Sequence, residues 1–129
     1  MNIASEDDIV LVRRSVRALA EGKGFDPFAL AAVTTAASEL ARNVWIHGGG
    51  GTVTLEVFDG SGRVGLRMVF RDQGPGIVDL KRALQGGYST AKSLGLGLSG
   101  SRRLVDGFQI ETAAGRGTVV TVEKWKKTY

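Results

Sequence analysis

Apolar and polar residues change period in a fixed order along this chain. After Ser5-Glu6-Asp7-Asp8, where a hydroxyl cap is followed by a carboxylate three residues on, Ile9, Val12, Val16, Leu19 and Ala20 recur at helical spacing. Gly22 and Gly24 end that helix. Asp26-Pro27 opens a second, the aspartate capping free amides and the proline fitting the first helical position. Leu30, Val33, Ala37, Leu40 and Val44 form its apolar stripe, and the glycines at 48–51 stop it. The period then drops to two. Val53, Leu55 and Val57 alternate with Thr54 and Glu56; after the turn Asp59-Gly60-Ser61-Gly62, Val64, Leu66, Met68 and Phe70 share one face. A glycine-rich connection over 74–97 holds one short helix near 79–84, followed by a helix over 98–105 and strands near 108–112 and 118–125.

Two helices, a hairpin, a long loop with a helix and a second hairpin predict an α+β two-layer sandwich with helices covering one sheet face. The chain has no regular strand-helix-strand alternation and no internal repeat. Its 129 residues, 43% of them hydrophobic, suit one domain over 1–129 with a core of its own.

Charge narrows the picture little. A net charge of +4 permits an acidic protein, a polyphosphate or a nucleic acid as partner. The absence of cysteine removes disulfides, thiolate metal sites and cysteine nucleophiles. An acidic N-terminus is unlike a signal peptide, and no apolar run approaches the roughly 20 residues of a membrane span, so a soluble, cytoplasmic protein without membrane contact is expected.

Three segments carry candidate chemistry. Glu39 and Asn43 lie four apart on the second helix, with Thr35 a turn before and His47 a turn after, and so form a polar stripe. Asn43 offers a neutral carbonyl suited to magnesium already crowded by phosphate charge. Glu39 is then available to orient and deprotonate an attacking hydroxyl. A solvated helix face is the plain alternative for both.

Asp72-Gln73-Gly74-Pro75-Gly76 follows the second strand directly. A carboxylate fixed there can accept a hydrogen bond from the amino group of adenine, where guanine presents a carbonyl; a mispaired buried polar group costs about 1–3 kcal/mol. Gly74 and Gly76 let the backbone pass close to a flat ring. An ordinary polar turn is the alternative.

Gly95-Leu96-Gly97-Leu98-Ser99-Gly100-Ser101 leads into a helix whose first amides suit phosphate. It is not a P-loop, lacking Gly-Lys-Ser/Thr, and not a dinucleotide fingerprint, lacking the surrounding strand-helix-strand unit. Arg102 and Arg103 are candidates to offset phosphate charge.

In order, Glu39-Leu40-Ala41-Arg42-Asn43, Asp72-Gln73-Gly74-Pro75-Gly76 and Gly95-Leu96-Gly97-Leu98 resemble the motifs of the Bergerat-fold (GHKL, histidine-kinase-like) ATPase and kinase superfamily. The short interval between Gly76 and Gly95 and the continuation to Val105 resemble its anti-sigma-factor type serine/threonine kinases, the switch kinases of the bacterial stressosome. The resemblance implies a two-layer sandwich with helices on one face of a mixed, mostly antiparallel sheet. It implies ATP and Mg2+ as cofactors, Glu39 as general base, Asn43 as magnesium ligand, and Asp72 at the adenine amino group with Thr118 near the same edge through water. Gly74, Gly76, Gly95, Leu96, Gly97 and Leu98 would shape the nucleotide site, and 77–94, including Gly86-Gly87-Tyr88-Ser89-Thr90-Ala91-Lys92-Ser93, would form a mobile ATP lid.

The implied activity is phosphorylation of a serine or threonine on a STAS-domain antagonist or scaffold protein, with a downstream phosphatase or other output regulated by binding. An ATP-responsive protein that sequesters a sigma factor or phosphatase and transfers little phosphate is the nearest alternative. A detached histidine-kinase catalytic domain lacks its phosphoacceptor segment here, and a single-strand nucleic-acid module would be indifferent to Mg-ATP.

Other features are discounted. His47 is read as a loop-edge histidine, because two helix ligands without a third make no zinc site. Arg13, Arg14 and Arg17 form a basic, solvated face. In Lys124-Trp125-Lys126-Lys127 the tryptophan is expected to pack while the lysines stay wet and protect a sheet edge, rather than bind nucleic acid.

Overall fold

The computed structural model describes residues 1–60, 62–76 and 98–126. Strand β1 (Asn2–Ile3) precedes helices α1 (Glu6–Gly22) and α2 (Pro27–Ile46). The hairpin β2 (Gly51–Gly60) and β3 (Arg63–Asp72) follows, then helix α3 (Leu98–Leu104) and the hairpin β4 (Gly107–Thr112) and β5 (Thr118–Trp125). The strands form one sheet in the order β1-β2-β3-β5-β4, and each described pairing is antiparallel.

Both helix starts follow from their caps. Ser5 Oγ accepts from Asp8 N at 3.3 Å and Asp26 Oδ1 from Ala29 N at 2.9 Å, each satisfying an amide that the helix leaves without a partner. Pro27 fills the first turn of α2, where its missing N–H is not needed. Gly24, at φ +79°, lets the chain leave α1.

The helices cover one face of the sheet. Val12, Val16, Val33, Ala37 and Leu40 meet Val53, Leu66, Met68, Phe70 and Val122 in one buried cluster, giving the α+β two-layer sandwich expected from the pattern. Burying a side chain of this class contributes about 1.5–3 kcal/mol. On the other face, Arg67 bonds Glu123 at 2.7 Å and approaches Glu56 at 3.6 Å. The Phe58 and Trp125 rings meet edge to face there, with centroids 4.6 Å apart, across the position of Gly65.

Two local expectations change. The first residues were not anticipated as a strand, yet Ile3 is buried and Asn2 pairs with Thr52. Strand β5 lies between β3 and β4, so the Lys124 region protects no sheet edge. Trp125 packs as expected, but Lys124 shares the inward parity of Val120 and Val122; its side chain is only 14% exposed, with Nζ 3.9 Å from Asp106. Among the described residues no helix is long and apolar enough to cross a membrane. The expected helix over 79–84, the lid and Lys127 lie outside the described residues.

Candidate functional site

Helix α2 turns its buried stripe of Leu40, Ala41 and Val44 to the sheet and carries Glu39 and Asn43 beside it, both half-buried. One turn separates them, so they project from the same side. The Asn43 side-chain carbonyl oxygen is buried. The Asn43 backbone carbonyl ends the helix, accepting from both His47 N and Gly48 N at 3.0 Å.

The chain leaves α2 through Gly48, directly onto Asp72. A Cβ at Gly48 would lie 2.5 Å from Asp72 Cβ and 2.8 Å from its Oδ2, distances no real side chain tolerates. The last turn of α2, with Asn43, is therefore docked against the carboxyl group at the end of β3. Asp72 is gripped on both sides, pairing with Gly51 of β2 and Thr118 of β5.

Its carboxylate is oriented as well as placed. Asp72 Oδ1 accepts from Gly74 N at 2.9 Å, an Asx turn that fixes the side-chain torsion. Among the described residues Oδ2 receives no hydrogen bond, leaving it to accept from a ligand. Gly74 packs on Gly48, where its Cβ would come 2.7 Å from Gly48 Cα. The close approach requiring glycine at 74 is thus to the protein's own backbone. Gly76 likewise passes over the Ala113 carbonyl.

Thr118 stands beside Asp72 and is buried. Its Oγ1 is 2.9 Å from Thr112 Oγ1, and Thr112 donates to the Gly117 carbonyl at 3.1 Å. With the Thr112 proton so directed, Thr118 donates to Thr112 and keeps its own lone pairs as acceptors. Asp72 and Thr118 together thus present acceptors to a donor such as an exocyclic amino group. Gly117, at φ +81°, crosses the Asp72 carbonyl so closely that a Cβ would overlap it. An open depression of about 270 Å³ adjoins them, lined by Thr112, Arg116 and Thr118 among others.

Helix α3 packs against α2. Leu98 is 2% exposed and belongs to the core, so its backbone rather than its side chain is what a ligand could meet. Gly95, Leu96 and Gly97 lie outside the described residues. The structure therefore brings Asn43, Asp72, Gly74 and Thr118 to one end of the sheet, with Glu39 a turn up α2; the expected phosphate contacts at 95–97 lie outside the described residues.

Beyond the expected residues, Gly48, Thr112 and Ser101 were given no role at the site from the sequence. Gly48 was read only as a helix stop, although a glycine run directly after a helix can also mark a close approach. Thr112 and Thr118 face each other at the end of the second hairpin, a pairing legible once the register is known. Ser101 is 1% exposed on α3, and its hydroxyl has no hydrogen-bond partner among the described residues; no spacing pattern announces it.

The donor set fits magnesium in one form. Among the described residues no group of three His, Cys, Asp or Glu could hold a metal ion. A neutral carbonyl on α2 beside a carboxylate instead suits a cation held largely by phosphate oxygens and water.

The histidine kinase-like ATPase domain family model matches residues 3–124. The chain is 41% identical over 125 residues to the serine/threonine-protein kinase RsbT of Bacillus subtilis (strain 168), covering 97% of this chain and 94% of the relative. It is 28% identical over 102 residues to the anti-sigma F factor of Thermoanaerobacter sp. (strain X514), covering 74% and 70%. The histidine kinase domain from the Erythrobacter litoralis EL346 blue-light activated histidine kinase has a similar fold, with a TM-score of 0.53 at 23% identity over 75% of this chain and 44% of that structure. Sequence and architecture agree, and the chain belongs to the histidine kinase-like ATPase family, as an RsbT-like member of it.

Proposed function

We propose that residues 1–129 act as one domain, a cytoplasmic Mg-ATP-dependent kinase that phosphorylates a serine or threonine on a STAS-domain antagonist or scaffold protein. The observation that carries this reading is the docking of the α2 terminus on Asp72 through Gly48, which places Asn43 and Asp72 at one site. The 41% identity to a serine/threonine-protein kinase supports the reaction class.

In this reading Asp72 Oδ2 accepts from the adenine amino group and Thr118 accepts beside it through water. Asn43 would hold magnesium through its side-chain carbonyl, and the ion would supply charge compensation to the phosphates. Glu39 accepts the proton of the incoming serine or threonine hydroxyl as its oxygen bonds to the terminal phosphorus, while the bond from that phosphorus to the bridging oxygen breaks and ADP carries the electron pair away. The Gly95-Leu96-Gly97 loop ahead of α3 supplies backbone amides to the phosphates. Release of the phosphorylated partner then frees the kinase to bind a downstream phosphatase or other output within a stressosome-type partner switch.

The test is transfer of labelled phosphate from ATP to a STAS-domain partner. The reading requires incorporation at serine or threonine that is lost in Glu39→Ala while nucleotide binding persists. Similarity to anti-sigma F factors favours one second reading, an ATP-dependent protein that sequesters its partner with little phosphotransfer. Tight partner binding with no incorporated label would select it.

A further inference from the structure

Two hydroxyl groups in series connect the backbone of the β4–β5 turn to the carboxylate end of the site. The turn itself is fixed: Arg116 N donates to Ala113 O at 2.9 Å, Gly115 N donates to Pro75 O at 2.7 Å, and Gly117 lies on the Asp72 carbonyl. These contacts hold the Gly117 carbonyl in place, and Thr112 Oγ1 reaches it at 3.1 Å.

A carbonyl has no proton to give, so Thr112 is the donor in that bond. A hydroxyl carries one proton, and that of Thr112 is spent there. In its 2.9 Å contact with Thr118 Oγ1, Thr112 therefore accepts and Thr118 donates. Strand order gives this proton a direction. Strand β5 lies between β3 and β4, so the Thr118 proton is turned toward Thr112 on β4, and away from Asp72, the Thr118 partner on β3.

We propose that Thr112 sets the choice of purine, admitting a 6-aminopurine and refusing a 6-oxopurine, by holding Thr118 as an acceptor beside Asp72. The inference rests on the adenine reading of Asp72 and deepens it. An ionised carboxylate accepts whatever surrounds it, but a hydroxyl takes either role and its neighbours decide which. A water lodged between Asp72 and Thr118 would spend one proton on each and turn only lone pairs to the base. The amino group of adenine donates to such a wall of acceptors, whereas the 6-carbonyl of guanine or hypoxanthine meets it acceptor to acceptor and is left buried without a partner. Without the Thr112 hydroxyl, Thr118 can rotate its proton toward the base, directly or through the water, and a carbonyl there gains a donor. Thr112 acts through Thr118 and is thus a positioning residue.

Mg-ATP and Mg-ITP compare a 6-amino with a 6-oxo purine without the 2-amino group of guanine. Titrated into the full chain by calorimetry, ATP is expected to bind wild type more tightly than ITP. Thr112→Val keeps the shape of the side chain and removes its hydroxyl; the ratio of ITP to ATP dissociation constants should then fall by about three- to tenfold, the range of one neutral hydrogen bond. Thr112→Ser keeps the hydroxyl and should hold the wild-type ratio. A purely structural role for Thr112 would weaken both nucleotides alike and leave the ratio where it was, which overturns the proposal. Should Thr112→Val fail to fold, Thr112→Ala removes the same hydroxyl with less bulk and is read the same way. Equal binding of ATP and ITP by wild type, or an Asp72→Ala chain that keeps its ATP affinity, defeats the adenine reading and this inference with it. A wild-type preference that Thr112→Val leaves intact defeats this inference alone.

Discussion

Gly48 lies flush against Asp72, so close that a Cβ on the glycine would fall 2.5 Å from the aspartate Cβ. This contact joins the helix carrying Glu39 and Asn43 to the strand end carrying the carboxylate. Gly48→Ala must displace one or the other. Overpacking of this kind costs about 1–3 kcal/mol, so a lower thermal midpoint and weaker nucleotide binding are expected together. Unchanged stability and binding would show that the contact is not what sets the site.

Gly100 is the contrasting case. It lies inside α3, is exposed, and a Cβ there would meet nothing within 4 Å. Gly100→Ala should stabilise the fold by about 0.5–1 kcal/mol through reduced backbone entropy of the unfolded chain, read from denaturant midpoints.

Thr118→Val keeps the shape of a buried side chain and removes its hydroxyl. Thr112 then loses the 2.9 Å contact, and an acceptor beside Asp72 is lost. A stability loss of about 1 kcal/mol is expected from the hydrogen bond. ATP affinity should fall by a smaller factor than with Asp72 variants, as calorimetry on the folded variant will check.

Glu39→Gln preserves size and helix while removing the proposed base. Phosphotransfer should fall by about 10²–10⁴ while the dissociation constant for Mg-ATP stays nearly unchanged, compared by single-turnover label transfer and equilibrium titration. A parallel loss in both would place Glu39 in binding rather than proton transfer.

Much of this arrangement was legible in the chain because caps and periods are local. Ser5 and Asp26 announce helix starts that the structure reproduces, and the alternation from Val64 to Phe70 names the inward face of β3. Asp72 and Asn43 could be nominated from residue type and spacing. What could not be read is contact between distant segments. Ile3 stands in a short acidic stretch with no strand-length alternation around it, and its burial depends on Gly51 lying opposite. The need for glycine at 48 and 74 comes from their mutual approach, one just after α2 and the other just after β3, with a hairpin between them that no local window spans. Lys124 follows strand parity onto the inner face despite its charge, because its stem packs while Asp106 stands near its end. Strand order, too, lies beyond local pattern: β5 enters between β3 and β4, making an internal strand of a segment whose lysines suggested an edge.

The central claim is that Asp72 recognises adenine at a site completed by α2. Isothermal titration of the wild-type chain and of Asp72→Ala with Mg-ATP and with Mg-GTP tests it most directly. Wild type should bind ATP well above GTP, and the folded variant should lose at least about tenfold in ATP affinity, the factor that 1.4 kcal/mol represents. ATP binding of equal strength in both proteins, or no preference over GTP in the wild type, would contradict it.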